Sequence, residues 1–145
     1  MMKKPSHSTA MLRTMAAVDG KNLTTKRLQK DYYEMVDSDT PCVGISGHPL
    51  DDDYFTWHCN LAGPEKTCYA GAVIHLEMKI PETYPKDPPT INVLTPLKHP
   101  NVFGTTLCLD MLQKNTARDQ NVGWSSAYGI QSILVQLQSF LFEGH

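Results

Sequence analysis

Two alternating runs separated by a glycine–proline break restrict this chain more than any other feature. From Tyr54 to Leu61, Phe55, Trp57, Cys59 and Leu61 fall on one side and Tyr54, Thr56, His58 and Asn60 on the other. Gly63-Pro64 interrupts the pattern, and it resumes from Ala72 to Ile80, with Ala72, Ile74, Leu76, Met78 and Ile80 on the apolar side. A period of two with one apolar face is that of a half-buried strand, so the two runs predict neighbouring strands of a sheet covered on one side. Two shorter strands complete an antiparallel meander, Cys42–Ser46 and Thr90–Leu94, with Gly47-His48-Pro49 read as the turn after the first.

Helical periodicity brackets the strands. Leu28, Tyr32, Met35 and Val36 form one apolar stripe, with Lys26, Arg27 and Lys30 off it and Asn22 or Thr24 as candidate caps. That helix should stop before Ser38-Asp39-Thr40-Pro41, because proline disfavours helix in the residue before it. Ile130, Ile133, Leu134, Leu137 and Leu141 define a second helix, with Ser125 or Ser126 as its cap. Between Pro81 and Pro100 lie six prolines, which makes a stiff, locally paired crossing. After Cys108 the stretch Gln113 to Gly123 carries no period and reads as a loop. The fold class is α+β, a single core over residues 23–145 preceded by a flexible extension over residues 1–22.

Composition excludes several classes. A chain of 145 residues with 41% hydrophobic and 19% charged residues is that of a soluble globular domain, and no apolar run approaches a membrane span. The N-terminus has no apolar signal core, so cytoplasm or nucleus is the expected compartment. Cys42, Cys59, Cys68 and Cys108 form no C-x-x-C pair, so neither a zinc site nor a redox motif is indicated and they are expected as free thiols. Residues 1–31 carry seven basic and two acidic side chains, while the remainder carries six basic and thirteen acidic ones. A basic face on an acidic body suits an acidic protein partner or a solvated helix face; without aromatics to stack bases, nucleic acid is not indicated.

The chemistry-bearing stretch is K-H-P-N-V-F-G-T-T-L-C-L-D-M-L, Lys98 to Leu112. Among leucines a cysteine is commonly an inert small hydrophobe. Cys108, however, lies between a glycine turn and a polar loop, and Asn101 supplies a neutral amide donor for an oxyanion. A cysteine peptidase would need a histidine base, whereas His99 beside Pro100 is better placed to brace the turn, and His48, His58 and His75 sit on strand or turn positions. Without a strong base, thioester exchange and aminolysis fit best, because a thiolate leaves readily. Asp110 suits a place near the incoming amine.

The ordered motifs K-R-L-Q-K-D (Lys26 to Asp31), Trp57 before A-G-P (Ala62 to Pro64), Y-A-G (Tyr69 to Gly71), Y-P-K-D-P-P (Tyr84 to Pro89), H-P-N (His99 to Asn101), C-L-D-M-L (Cys108 to Leu112) and W-S-S-A-Y (Trp124 to Tyr128) resemble those of the ubiquitin-conjugating enzymes, the E2 class, over about residues 23–143. The resemblance implies a UBC-like fold in which Cys108 takes ubiquitin or a related modifier from an E1 as a thioester and passes it to a lysine amine. It implies catalytic roles for Cys108, Asn101 and Asp110, an active-site turn at His99 and Pro100, and an E1 face at Lys26, Arg27 and Lys30 that the E3 partly shares. Lys86, Pro88, Ser126 and Ala127 would form an E3 platform. The expected partners are the E1, the modifier, an E3 ligase and a substrate lysine; the chain is expected to need no metal or cofactor and to act as a monomer, with no nucleic acid or membrane. An inactive, modifier-binding scaffold is the alternative.

Departures from the family pattern are specific. The spacing from Asn101 to Cys108 is one residue shorter than in most members, and the loop from Cys108 to Trp124 is longer than in minimal ones. Lys86 stands where an apolar anchor is common, and Ser126 where proline is usual; G-W-S-S-A-Y is closer to the Q-type branch. Ending at His145, the sequence stops after the central helix, short of the family's C-terminal helices.

Overall fold

A computed structural model describes residues 23–37, 42–114 and 123–143. The expected flexible extension over residues 1–22, the candidate cap Asn22, residues 38–41 and most of the polar loop after Gln113 lie outside them. The chain runs through helix α1 (Leu23–Val36), strands β1 (Ile45–Leu50), β2 (Asp53–Ala62), β3 (Val73–Lys79) and β4 (Thr90–Val93), two short strands β5 (Val102–Phe103) and β6 (Thr106–Leu107), a 3₁₀ turn (Asp110–Leu112) and helix α2 (Ile130–Leu141).

The two alternating runs become β2 and β3, paired antiparallel with Cys59 opposite Leu76 and Leu61 opposite Ile74. Their inner face, Trp57, Cys59, Leu61, Ile74, Leu76 and Met78, is buried, as the alternation requires, whereas Phe55 is only half-buried and Ala72, just outside β3, is exposed. Gly63 sits where the backbones meet: a Cβ there would lie 1.9 Å from the Tyr69 carbonyl oxygen, so only glycine closes this turn. The meander β1–β4 is continued by a hairpin, giving the sheet order β1-β2-β3-β4-β6-β5.

Strand β1 differs from the sequence expectation. It begins at Ile45 and continues through Gly47, His48 and Pro49, which read as a turn, while Val43 lies outside it and is 87% exposed. Because β1 is an edge strand, Pro49 removes no ladder bond from a neighbour, and the register shifts immediately after it.

Helix α2 presents Ile130, Ile133, Leu134, Leu137 and Leu141 to the core, all buried, and packs against α1, β1 and β2. Each such side chain contributes roughly 1.5–3 kcal/mol of burial. Neither Ser125 nor Ser126 caps this helix. The N-cap is Gly129, and Ser132 reaches back to it, its Oγ accepting from the Gly129 N–H at 2.9 Å and donating to the Gly129 carbonyl at 2.8 Å. Ser132→Ala should therefore cost about 1 kcal/mol and lower the melting temperature by about 3–4 °C, read by calorimetry.

On α1, Leu28 and Tyr32 are buried as expected, but Val36 is exposed and Thr24, Thr25 and Asp31 take buried positions. Thr24 is not a cap; its hydroxyl is bonded to the carbonyls of Glu82 (2.6 Å) and Tyr84 (2.8 Å). The histidines on the sheet's outer face are structural. His75 Nδ1 lies 2.9 Å from Asn60 Oδ1, and its Nε2 lies 3.0 Å from His58 Nδ1.

Candidate active site

The stretch around Cys108 is positioned by a very short hairpin. Val102 pairs with Leu107 and Phe103 with Thr106, leaving only Gly104 and Thr105 to turn the chain. Gly104 has φ +63°, a conformation that suits glycine and opens a two-residue turn. The hairpin is fastened to β4 by Asn92 opposite Thr106 and by the Val93 N–H on the Thr105 carbonyl at 2.7 Å. Extending its register by one pair sets Asn101 opposite Cys108. The Cys108 N–H donates to the Asn101 carbonyl at 2.8 Å, and Asn101 Nδ2 donates to the Cys108 carbonyl at 3.0 Å. The spacing that is one residue short is thus matched by a turn of two residues, and it sets the two residues face to face.

His99 braces the approach. Its Nδ1 accepts from the Asn101 N–H at 3.1 Å, and its ring lies 5.1 Å from that of Phe140 on α2. Leu107 and Leu112 are buried on either side of Cys108, which is itself half-buried. The leucines are anchors for a segment that stays near the surface. Exposed Asp110 opens the 3₁₀ turn, whose Leu112 and Gln113 N–H groups bond back to the carbonyls of Leu109 and Asp110 (both 3.0 Å). A cleft of about 350 Å³ lies here, lined by Asn101, Leu109, Asp110, Met111, Gln136 and Phe140. Among the described residues no three His, Cys, Asp or Glu side chains are grouped to hold a metal ion.

The four cysteines have different environments. Burial pushes the Cys59 thiol up to about 12, so it is inert. Cys42 is half-buried with the Gln131 amide on its sulfur (3.1 Å), and Cys68 is exposed. Iodoacetamide at pH 8 should alkylate Cys68 and Cys108 in the native protein but leave Cys59 untouched until denaturant is added. Peptide mass spectrometry reads the order, and native labelling of Cys59 would contradict this burial.

The residues expected on partner surfaces fall into two groups. Lys26 and Lys30 are exposed on α1, Lys30 with Glu34 3.7 Å away. Arg27 does not join them: its guanidinium turns inward to Asp31 and to the turn before α2. Lys86, Ser126 and Ala127 are exposed, and Pro88 is half-buried. Their two loops are joined by Trp124 Nε1 donating to the Pro85 carbonyl at 2.7 Å. Asp87 is held below the usual carboxylate range by the Thr83 hydroxyl, with Lys114 adding to it from 3.0 Å. Sequence reasoning missed Asp31 and Tyr84. Asp31 is 1% exposed and accepts from the Tyr84 phenol, which burial and that carboxylate push up, so the phenol stays protonated. The available signal was position, since Leu28, Asp31 and Tyr32 share one helix face.

Among the described residues, a meander sheet, two helices and an edge hairpin that sets Cys108 opposite Asn101 make an α+β domain of UBC-like fold. Residues 27–144 match the ubiquitin-conjugating enzyme family profile. The chain belongs to the ubiquitin-conjugating enzyme family. It is 39% identical over 129 residues to ubiquitin-conjugating enzyme E2-20 kDa of Schizosaccharomyces pombe, covering 88% of this chain and 67% of that one. It is 33% identical over 119 residues to ubiquitin-conjugating enzyme E2 1 of Caenorhabditis elegans, covering 81% of this chain but only 57% of that protein. It is 36% identical to ubiquitin-conjugating enzyme E2 2 of Aspergillus fumigatus over 117 residues, 80% of this chain and 71% of that one. The structure of human ubiquitin-conjugating enzyme E2 G1 superposes with a TM-score of 0.62 at 23% identity, covering 98% of this chain and 100% of that one, a likeness of fold.

Proposed function

We propose that Cys108 carries ubiquitin or a ubiquitin-like modifier as a thioester between an E1 enzyme and a lysine amine. The observation that carries this reading is the hairpin register, which sets the half-buried Cys108 directly across from Asn101, a residue that also lines the neighbouring cleft. The Cys108 thiolate attacks the thioester carbonyl on the E1, and the tetrahedral intermediate collapses with loss of the E1 cysteine thiolate. A lysine amine then attacks the new thioester, Cys108 leaves as thiolate, and the amine gives up a proton to become an amide nitrogen. Both steps develop an oxyanion beside Sγ. The Asn101 side-chain nitrogen has two hydrogens, one on the Cys108 carbonyl and a second with no acceptor among the described residues, so one donor remains for that charge. Asp110 borders the cleft from its exposed side, where an incoming ammonium would lose its proton.

Lys26 and Lys30 on α1 are the proposed E1 contacts. Lys86, Pro88, Ser126 and Ala127 are the proposed E3 platform, with an exposed cation where an apolar anchor is common. We place the reaction in the cytoplasm or nucleus and assign the working unit as a monomer. The test is incubation with ubiquitin E1, ATP and ubiquitin, followed by electrophoresis without reductant. An adduct that dithiothreitol removes is expected. If neither ubiquitin nor any related modifier with its own E1 gives one, the chain is a modifier-binding scaffold instead.

A further inference from the structure

Arg27 lies in the basic run of α1, yet the structure withdraws it from the exposed face. Its side chain is 20% exposed, and each guanidinium nitrogen has an acceptor. Nε donates to Asp31 Oδ1 at 3.0 Å, Nη1 to the Ser126 carbonyl at 2.9 Å and Nη2 to the Tyr128 carbonyl at 2.9 Å. The guanidinium carbon stands 5.7 Å from the centre of the Tyr84 ring. Beneath it, Asp31 also accepts from the Tyr84 phenol, and a Cβ on Gly129 would come within 3.2 Å of Asp31 Oδ1. The Ser126–Gly129 turn is therefore pressed onto this pair from above. The loop bearing Lys86 and Pro88 is tied to the same helix, through Thr24 to the Glu82 and Tyr84 carbonyls, and to the turn through Trp124 to Pro85.

We infer that Arg27 is a positioning residue for the E3 platform: it touches neither E1 nor E3 but sets the distance between the loop of Lys86 and Pro88 and the turn of Ser126 and Ala127. This rests on the reading of those two loops as the E3-binding surface. The geometry selects arginine. Two carbonyls on one side and a carboxylate on the other need three donors diverging from one plane, which a guanidinium offers and a single ammonium does not. Ser126 and Ala127 point outward while the turn's carbonyls point down to Arg27, so the exposed crown keeps its shape only while the fork is in place.

The experiment compares Arg27→Lys with Lys26→Ala and with Ile74→Val, a buried core change on β3 opposite Leu61 that serves as the stability control. Three rates are measured for each: charging by ubiquitin E1 as a function of protein concentration, discharge of the thioester to free lysine, and discharge accelerated by an array of isolated RING domains titrated one at a time. For Arg27→Lys, the expected result is a charging KM and an unaided discharge rate within about twofold of the wild type. The RING concentration at half-saturation should rise at least about tenfold with the saturated rate nearly kept, a difference of about 1.4 kcal/mol or more in docking. Lys26→Ala should raise the charging KM, and Ile74→Val should change neither. A tenfold rise shared by Ile74→Val reduces Arg27 to a stabilising residue. A raised charging KM in Arg27→Lys returns it to the E1 face. A RING response equal to the wild type overturns the positioning role alone, whereas an array in which no RING domain accelerates the wild type overturns the platform reading itself.

Discussion

With Cys108 replaced by serine, the chain should still accept ubiquitin from an E1, but as an ester that survives dithiothreitol; with alanine, no adduct should form. A thiol at neutral pH has a usable thiolate fraction and later leaves easily, whereas a hydroxyl without a base is a poor nucleophile and a poor leaving group. Among the described residues no base is hydrogen-bonded to the Cys108 sulfur, and His99 Nδ1 is committed to the Asn101 N–H. Serine should therefore load slowly and discharge to lysine at least about 10²-fold more slowly than cysteine, by the same reasoning that assigns such factors to a missing general base. Cys68→Ser supplies the control. Cys68 is the exposed cysteine, so an adduct that moves to it, or vanishes with it, would place the thioester away from the hairpin. Cys59 cannot substitute, because it is fully buried behind the sheet.

The sequence made the inner faces of β2, β3 and α2 legible because each carries an uninterrupted period against a single core. Trp57, Cys59 and Leu61, or Ile133, Leu134 and Leu137, leave no other face to bury. Features that depend on neighbours were harder to read. Gly47-His48-Pro49 has the composition of a turn and becomes strand because an edge position excuses the proline. The hairpin strands β5 and β6 are two residues each, too short for any period, and are held by their turn and by β4. Arg27 read as one more surface charge; only the fold brings the Ser126 and Tyr128 carbonyls onto it. Asn101 and Cys108 could be named from the sequence, but their facing register follows from a turn length that local composition did not specify.

Asn101→Ala should leave E1 charging within about twofold of the wild type and slow discharge to lysine by about 10²-fold, the loss that follows removal of one oxyanion donor. Charging would be spared if the E1 supplies donors of its own to that transition state, whereas aminolysis by a free amine relies on this chain alone. Two contributions are removed together. The Nδ2 bond to the Cys108 carbonyl, worth about 1 kcal/mol, holds the segment across the hairpin, and the second hydrogen serves the oxyanion. Asn101→Asp separates them. It keeps the size of the side chain but offers acceptors where both the Cys108 carbonyl and the oxyanion need a donor, so it should be slower still than alanine. A shift in melting temperature of a few degrees in both variants reports the lost clamp. If discharge slows only as far as that shift, and raising the lysine concentration restores the wild-type rate, Asn101 shapes the turn alone. If the rate at saturating lysine stays about 10²-fold down, the amide meets the charge. The two-residue turn at Gly104 and Thr105 favours the second outcome, because it sets Asn101 across the strand pair from Cys108 rather than one position along the hairpin.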